Sequence, residues 1–86
     1  MKNGLIIDTD GTKRWWVDNK LHRTDGPAVE CLDGHKVWWV NNKIHRTDGP
    51  AVECANGTKY WYINEVELTE SQFNSPSFRE FITLLK

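Results

Sequence analysis

Two short groups hold the side chains with chemistry to offer: His22-Arg23-Thr24-Asp25 and His45-Arg46-Thr47-Asp48. A histidine close to a carboxylate is how a general base is oriented. Catalysis needs a nucleophile as well, and no Ser or Cys stands at a suggestive spacing. Nor does an active site have reason to occur twice, unchanged, in 86 residues. The residues therefore read as non-catalytic, and the chain as a protein without enzymatic activity. Two other chemistries stay open. In one, Asp25 and Asp48 accept backbone N–H groups of their own loops, as Asp does in turns. His22, Arg23, His45 and Arg46 then brace the neighbouring loop and its counterpart in the next copy. In the other, the arginines and histidines hold phosphates while tryptophans stack on bases, the layout of a nucleotide-sequestering site. Metal binding by His22, His35 and His45 finds less support. His35 falls on a strand and the other two on loops, and its counterparts Thr12 and Thr58 are not ligands. Neither a metal nor a cofactor is expected.

The elements that position these groups follow from a repetition. The nine residues His22 to Glu30 return letter for letter as His45 to Glu53, 23 positions on, and residues 8–30 match 31–53 at 17 of 23 places. The chain divides into units of about 5–27, 28–50 and 51–68. The third loses the His-Arg phrase and runs Asn64-Glu65-Val66-Glu67-Leu68, as a terminal repeat that caps a stack does. Each unit predicts two strands. Asp10-Gly11, Asp33-Gly34 and Asn56-Gly57 are tight-turn signals between them. The second strand of each carries the aromatics: Lys13 to Val17, Lys36 to Val40, Lys59 to Ile63. A longer loop, Asn41 to Gly49 in the middle copy, leads to the next unit. Two strands per unit keep every copy in one orientation, so like side chains form columns. Alternation puts Trp15, Trp38 and Trp61 on one face with Val17, Val40 and Ile63, and Trp16, Trp39 and Tyr62 on the other. Both rows cannot stay in water. The expected binding surface is the row Trp16, Trp39, Tyr62, edged by His22, Arg23, Asp25, His45, Arg46 and Asp48.

Residues 69–86 predict a helical cap. Thr69 suits an N-cap with Gln72 completing a capping box, and Leu68 and Phe73 are placed as its hydrophobic staple. Ser75 with Pro76 marks a second start. From there Phe78, Phe81, Ile82 and Leu85 form one apolar stripe, which should dock on the tryptophan sheet over the last unit. The fold expected is mainly β: an antiparallel hairpin repeat sheet over 1–68, about 2.5 repeats, with a short C-terminal helical cap.

Bulk properties narrow the partners. The formal charge is −1, which gives no footprint for long nucleic acids or an anionic membrane surface. Leu5-Ile6-Ile7 is too short an apolar run for a signal peptide or a membrane span, so the expected location is the cytoplasm. Cys31 and Cys54 occupy equivalent places about 9–10 Å apart in such a sheet. A disulfide wants less than about 7 Å, so both thiols should stay reduced.

The segments Trp38-Trp39-Val40-Asn41-Asn42-Lys43-Ile44-His45 and Gly49-Pro50-Ala51-Val52, with their equivalents one unit earlier, resemble the MORN repeat and its variants across residues 4–64. Asn19 and Asn42 stand where many copies have Gly, and Arg-Thr-Asp is added before the Gly. The His-Arg-X-Asp-Gly-Pro-Ala phrase, and Glu67 to Phe73, look like a variant found in small proteins of tailed phages and some bacteria. The resemblance implies an elongated hairpin ladder used for binding. It also implies a phage-encoded inhibitor that grips a host protein, in anti-defence or host takeover, from the host cytoplasm. The alternatives are a sponge for a nucleotide immune signal and an antitoxin-like or self-assembling module that forms a homo-oligomer.

Overall fold

The computed structural model describes residues 1–78 and 80. In chain order the elements are β1 (Gly4–Ile7), β2 (Lys13–Val17), β3 (Lys20–Leu21), β4 (Val29–Glu30), β5 (Lys36–Val37), β6 (Trp39–Val40), β7 (Lys43–Ile44), β8 (Val52–Glu53), β9 (Lys59–Ile63), β10 (Val66–Leu68) and α1 (Glu70–Phe73). The chain is mainly antiparallel β, with a short C-terminal helix.

Two kinds of turn build it, and each follows from its residues. The first joins β1 to β2, β4 to β5 and β8 to β9. Asp8 donates its N–H to the Thr12 carbonyl and accepts from Gly11 N–H, both at 2.9 Å; Cys31 and Cys54 do the same with His35 and Gly34, and with Thr58 and Gly57. The Gly φ angles are 86°, 103° and 91°, a region costly for side chains with a Cβ. Asp10, Asp33 and Asn56 each turn a side-chain oxygen onto the N–H two residues on. These are the Asp-Gly and Asn-Gly turns expected, in the three-residue form with a left-handed glycine.

The second turn corrects the long loop expected from Asn41 to Gly49. Asp18-Asn19, Asn41-Asn42 and Asn64-Glu65 all have φ between 49° and 69°, the mark of a two-residue reversal with both central residues left-handed. Thus β6 folds back onto β7, with Trp39 opposite Ile44 and Val40 opposite Lys43. Asn tolerates this region better than most residues, which is how two Asn do the work of Asn-Gly.

After the second turn comes a strand with an interruption. β3 and β4 both lie antiparallel to β2, at opposite ends of it: Val17 faces Lys20 and Trp16 faces Leu21, while Arg14 faces Val29 and Lys13 faces Glu30. Between them sits Trp15. Its carbonyl accepts from His22 N–H at 3.1 Å and its N–H donates to Ala28 O at 2.9 Å. The ladder therefore closes across residues 23–27, which are thrown out as a loop. Trp38 repeats this with His45 at 3.1 Å and Ala51 at 2.8 Å, throwing out 46–50. Each unit adds one aromatic strand and one interrupted strand, so orientation is kept although three short segments are paired.

Cross-strand neighbours share a face. One face carries the row Trp15, Ala28, Trp38, Ala51, Trp61, in which both alanines are fully buried. Beside it runs Lys13, Glu30, Lys36, Glu53, Lys59, alternating in sign. The other face carries Trp16 with Leu21, Trp39 with Ile44, Tyr62 with Glu67, and the row Val29, Val37, Val52, Tyr60.

The last unit meets the cap. Thr69 Oγ1 accepts Gln72 N–H and Thr69 N–H donates to Gln72 Oε1, the capping box expected. Phe73 is buried with Ile63 and Leu68, and Trp61 and Phe78 pack against that cluster. Its ring lies 6.4 Å from Trp61. The second start is present too: Ser75 Oγ accepts Phe78 N–H at 3.4 Å, and residues 76–78 and 80 are helical. The rest of the expected stripe, Phe81, Ile82 and Leu85, lies outside the described residues. Among the described residues no helix is long and apolar enough to cross a membrane.

Candidate binding surfaces

The thrown-out loops are held by their own arginines. Arg23 Cζ lies 3.8 Å from the centroid of the Trp15 ring. Its Nε donates to Asp25 Oδ1 at 2.8 Å, and its Nη1 to the Pro27 carbonyl and to Glu30 Oε2, both at 3.0 Å. Arg46 repeats the set on Trp38 at 3.8 Å, Asp48 at 2.8 Å, Pro50 O at 2.9 Å and Glu53 at 3.2 Å. Gly26 and Gly49 make room: a Cβ there would come 3.0 Å and 2.9 Å from the guanidinium carbon. The arginine hydrogen bond, and then its charge, hold Asp25 and Asp48 below the usual carboxylate range. The aspartates thus accept from the arginines, where backbone N–H groups were expected. Within two residues an Arg offers a shorter path to neutralise the carboxylate.

The histidines brace across units. His22 Nδ1 accepts Asn41 N–H and His45 Nδ1 accepts Asn64 N–H, both at 3.0 Å. Each supports the second turn of the following copy, in the bracing role read from the sequence. His35 is on another site altogether, with Nδ1 2.9 Å from Asp33. Among the described residues no group of three or more His, Cys, Asp or Glu is placed to hold a metal. Cys31 and Cys54 are free thiols.

Loops 23–26 and 45–48 wall an open groove of about 700 Å³, floored by Trp38 and Val40. Each wall brings one guanidinium and two carboxylates into direct contact. The groove is polar, and its cations are already matched.

The residues predicted as one surface divide between two. Trp16, Trp39 and Tyr62 lie on the face opposite the arginines, because successive strand residues alternate and Arg23 and Arg46 cover Trp15 and Trp38. The side from which the loops fold over was not readable from spacing. Trp16 has the Lys2 ammonium 4.5 Å above its ring. Trp39 Nε1 is buried without an acceptor. Burial, and then the nearby Glu67 charge and Tyr60, push the Tyr62 hydroxyl up. Glu30 and Glu53 were missed as loop anchors; the signal was a Glu seven residues after each Arg, in both copies.

Comparison with known proteins returns no matching family model, no curated relative and no solved structure.

Proposed function

We propose that this chain is a non-enzymatic binding protein that offers its Trp16–Trp39–Tyr62 face to another protein. The observation that supports this is an asymmetry between the two aromatic rows. Trp15, Trp38 and Trp61 each have a lid from within the chain: Arg23, Arg46 and Phe73. In the other row Trp16 lies under Lys2, while among the described residues Trp39 and Tyr62, both half-buried, have no cation or ring stacked on them. Aromatic rows of this kind serve as interface anchors. Around the aromatics on that face stand the half-buried Val29, Val37, Val52, Leu21 and Ile44, with Arg14, Glu67 and the Lys2 ammonium among them. The face suits a protein partner with an apolar patch.

The nucleotide alternative has less behind it. A phosphate at Arg23 or Arg46 would have to displace an Asp and a Glu already in place, and the net charge of each loop cluster is negative. The resemblance to MORN-like ladders of small phage proteins supplies the setting we propose: an inhibitor of a host protein, in anti-defence or host takeover.

The test is capture of a partner from bacterial lysate, followed by oxidative footprinting of the complex. Trp16, Trp39 and Tyr62 become protected while Trp15 and Trp38 do not change. Trp39→Ala weakens capture by roughly thirtyfold or more, the scale of an interface anchor. Capture indifferent to Trp16→Ala and Trp39→Ala, or a thermal shift with adenine nucleotides that Arg46→Ala abolishes, would overturn the reading.

A further inference from the structure

The two ends of the sheet are the two halves of one internal contact. Inside the chain, β4 lies along β2 with Glu30 opposite Lys13 and Val29 opposite Arg14. One unit later β8 lies along β5 with Glu53 opposite Lys36 and Val52 opposite Val37. The third aromatic strand breaks the series. β9 pairs with β8 on one side, and on the other with β10 only from Trp61 to Ile63. Among the described residues no strand fills the place beside Lys59 and Tyr60. A groove of about 330 Å³ stands there, bounded by Lys59, Tyr60, Trp61, Leu68 and Gln72.

The strand that would fit is present at the other end. β1 is the last strand of the sheet and pairs with β2 alone. Ile6 and Ile7 stand 23 positions before Val29 and Glu30, the residues that make the contact inside the chain. The exposures agree. Leu5, Ile6 and Ile7 are 46%, 37% and 57% exposed and Tyr60 is 41%, whereas Ala28, the counterpart of Leu5, is 0%.

Backbone directions agree as well. Asp8 donates its N–H inward to Thr12 O, so by alternation Ile7 turns its N–H and C=O outward. The Tyr60 carbonyl accepts from Ala51 N–H, so Lys59 turns both its groups to the vacant side. Unpaired edges of this kind are templates for another strand.

We propose that copies of this chain join head to tail, β1 of one copy filling the place beside β9 of the next, with Ile7 opposite Lys59 and Ile6 opposite Tyr60. The sheet then continues from molecule to molecule in the register it already uses within one. The contact is heterologous, with different surfaces on the two partners, so it grows as rows rather than stopping at a pair. It adds Ile6 beside Tyr60 at the edge of the Trp16–Trp39–Tyr62 face without covering those three side chains, and holds whether or not that face has a partner. A pairing this short is weak, so it is to be read at roughly 0.1–1 mM.

Sedimentation velocity over that range tests it. The wild-type chain forms dimers, trimers and larger species as concentration rises. Ile7→Lys sets like charges across the contact and weakens it about two- to fivefold, the scale of a cross-strand charge pair. Ile7→Glu strengthens it by a similar factor, since it extends the Lys–Glu alternation, and Lys59→Glu rescues Ile7→Lys. Ile7→Pro and Lys59→Pro each remove an outward N–H and leave the inner ladder whole. Either alone stays monomeric; mixed, they form 1:1 dimers and nothing larger. If circular dichroism shows a Pro variant unfolded, the charge series alone decides. A wild-type chain monomeric up to about 1 mM, or assembly that ignores these changes and responds to Trp39→Ala, overturns the proposal.

Discussion

The guanidinium of Arg46 joins parts of the chain that are otherwise independent: the Trp38 ring, the loop aspartate Asp48, the Pro50 carbonyl and Glu53 on the following strand. A lysine could serve one of these as a point charge but could neither fork nor stack flat. The arrangement needs space, and Gly49 supplies it. Gly49→Ala should cost about 1–3 kcal/mol, the scale of overpacking, because the new Cβ meets the guanidinium and not because of backbone strain. In an Arg46→Ala background the same change should cost close to nothing. Urea unfolding of the four variants measures this; simple additivity would sink the idea. None of the arginine contacts was legible in the sequence. The phrase His-Arg-Thr-Asp-Gly-Pro-Ala-Val-Glu displayed Arg, Asp, Gly and Glu together, but the stack on Trp15 depends on a register that only the folded hairpin defines. The splitting of the proposed site between two faces has the same origin.

At the level of elements, the hairpins at Asp10-Gly11, Asp33-Gly34 and Asn56-Gly57 were legible because one glycine at a fixed place carries the whole signal. The reversals at Asn41-Asn42 and its equivalents were not. Two consecutive Asn are a weaker sign than Asn-Gly, and the next strand is two residues long before it breaks out into the loop. The third copy of this turn leaves a measurable strain. Glu65 sits at φ 69°, where a residue with a Cβ pays roughly 1–2 kcal/mol. Its backbone N–H still reaches Ile44 O at 2.9 Å, a bond that glycine keeps. Glu65→Gly should therefore stabilise the protein by about 0.5–1 kcal/mol after allowing for the greater freedom of glycine in the unfolded chain. Thermal unfolding is the measurement; a lower midpoint would mean the side chain has a role of its own. The cap was legible in its start, since Thr69 and Gln72 form the box their spacing announced. That it lands on Trp61 and not on Tyr62 depends on the handedness of the last reversal, which letters alone do not carry.

Taken whole, the molecule measures 42 × 31 × 17 Å, one sheet thick with loops and cap on one side. So thin a body leans on local bonds more than on a deep interior, and its aspartates make that dependence visible to acid. Asp10, Asp25, Asp33 and Asp48 are all held below the ordinary value of 3.8 by hydrogen bonds to Thr12, Arg23, His35 and Arg46. A carboxylate whose folded value is lowered stabilises the fold at pH above its unfolded value, and that stability is lost as pH falls through the folded one. Stability should thus decline on acidification below about pH 4, and the slope should be shallower in Asp25→Asn/Asp48→Asn, as followed by urea unfolding at a series of pH values. Equal slopes would remove the arginine pairs as the cause. The looped-out segments carry one more consequence. The ladder closes on a single tryptophan at both margins of each excursion, and the arginine that opens the excursion ties it down, its N–H to the next unit and its guanidinium to the Pro carbonyl and the Glu beyond. Such a place behaves as a socket with the arginine as its clasp: while Arg46, the Gly49 that makes room for it and the Asp48 and Glu53 it holds are kept, the outward surface around them can be diversified over generations and the ribbon beneath folds as before.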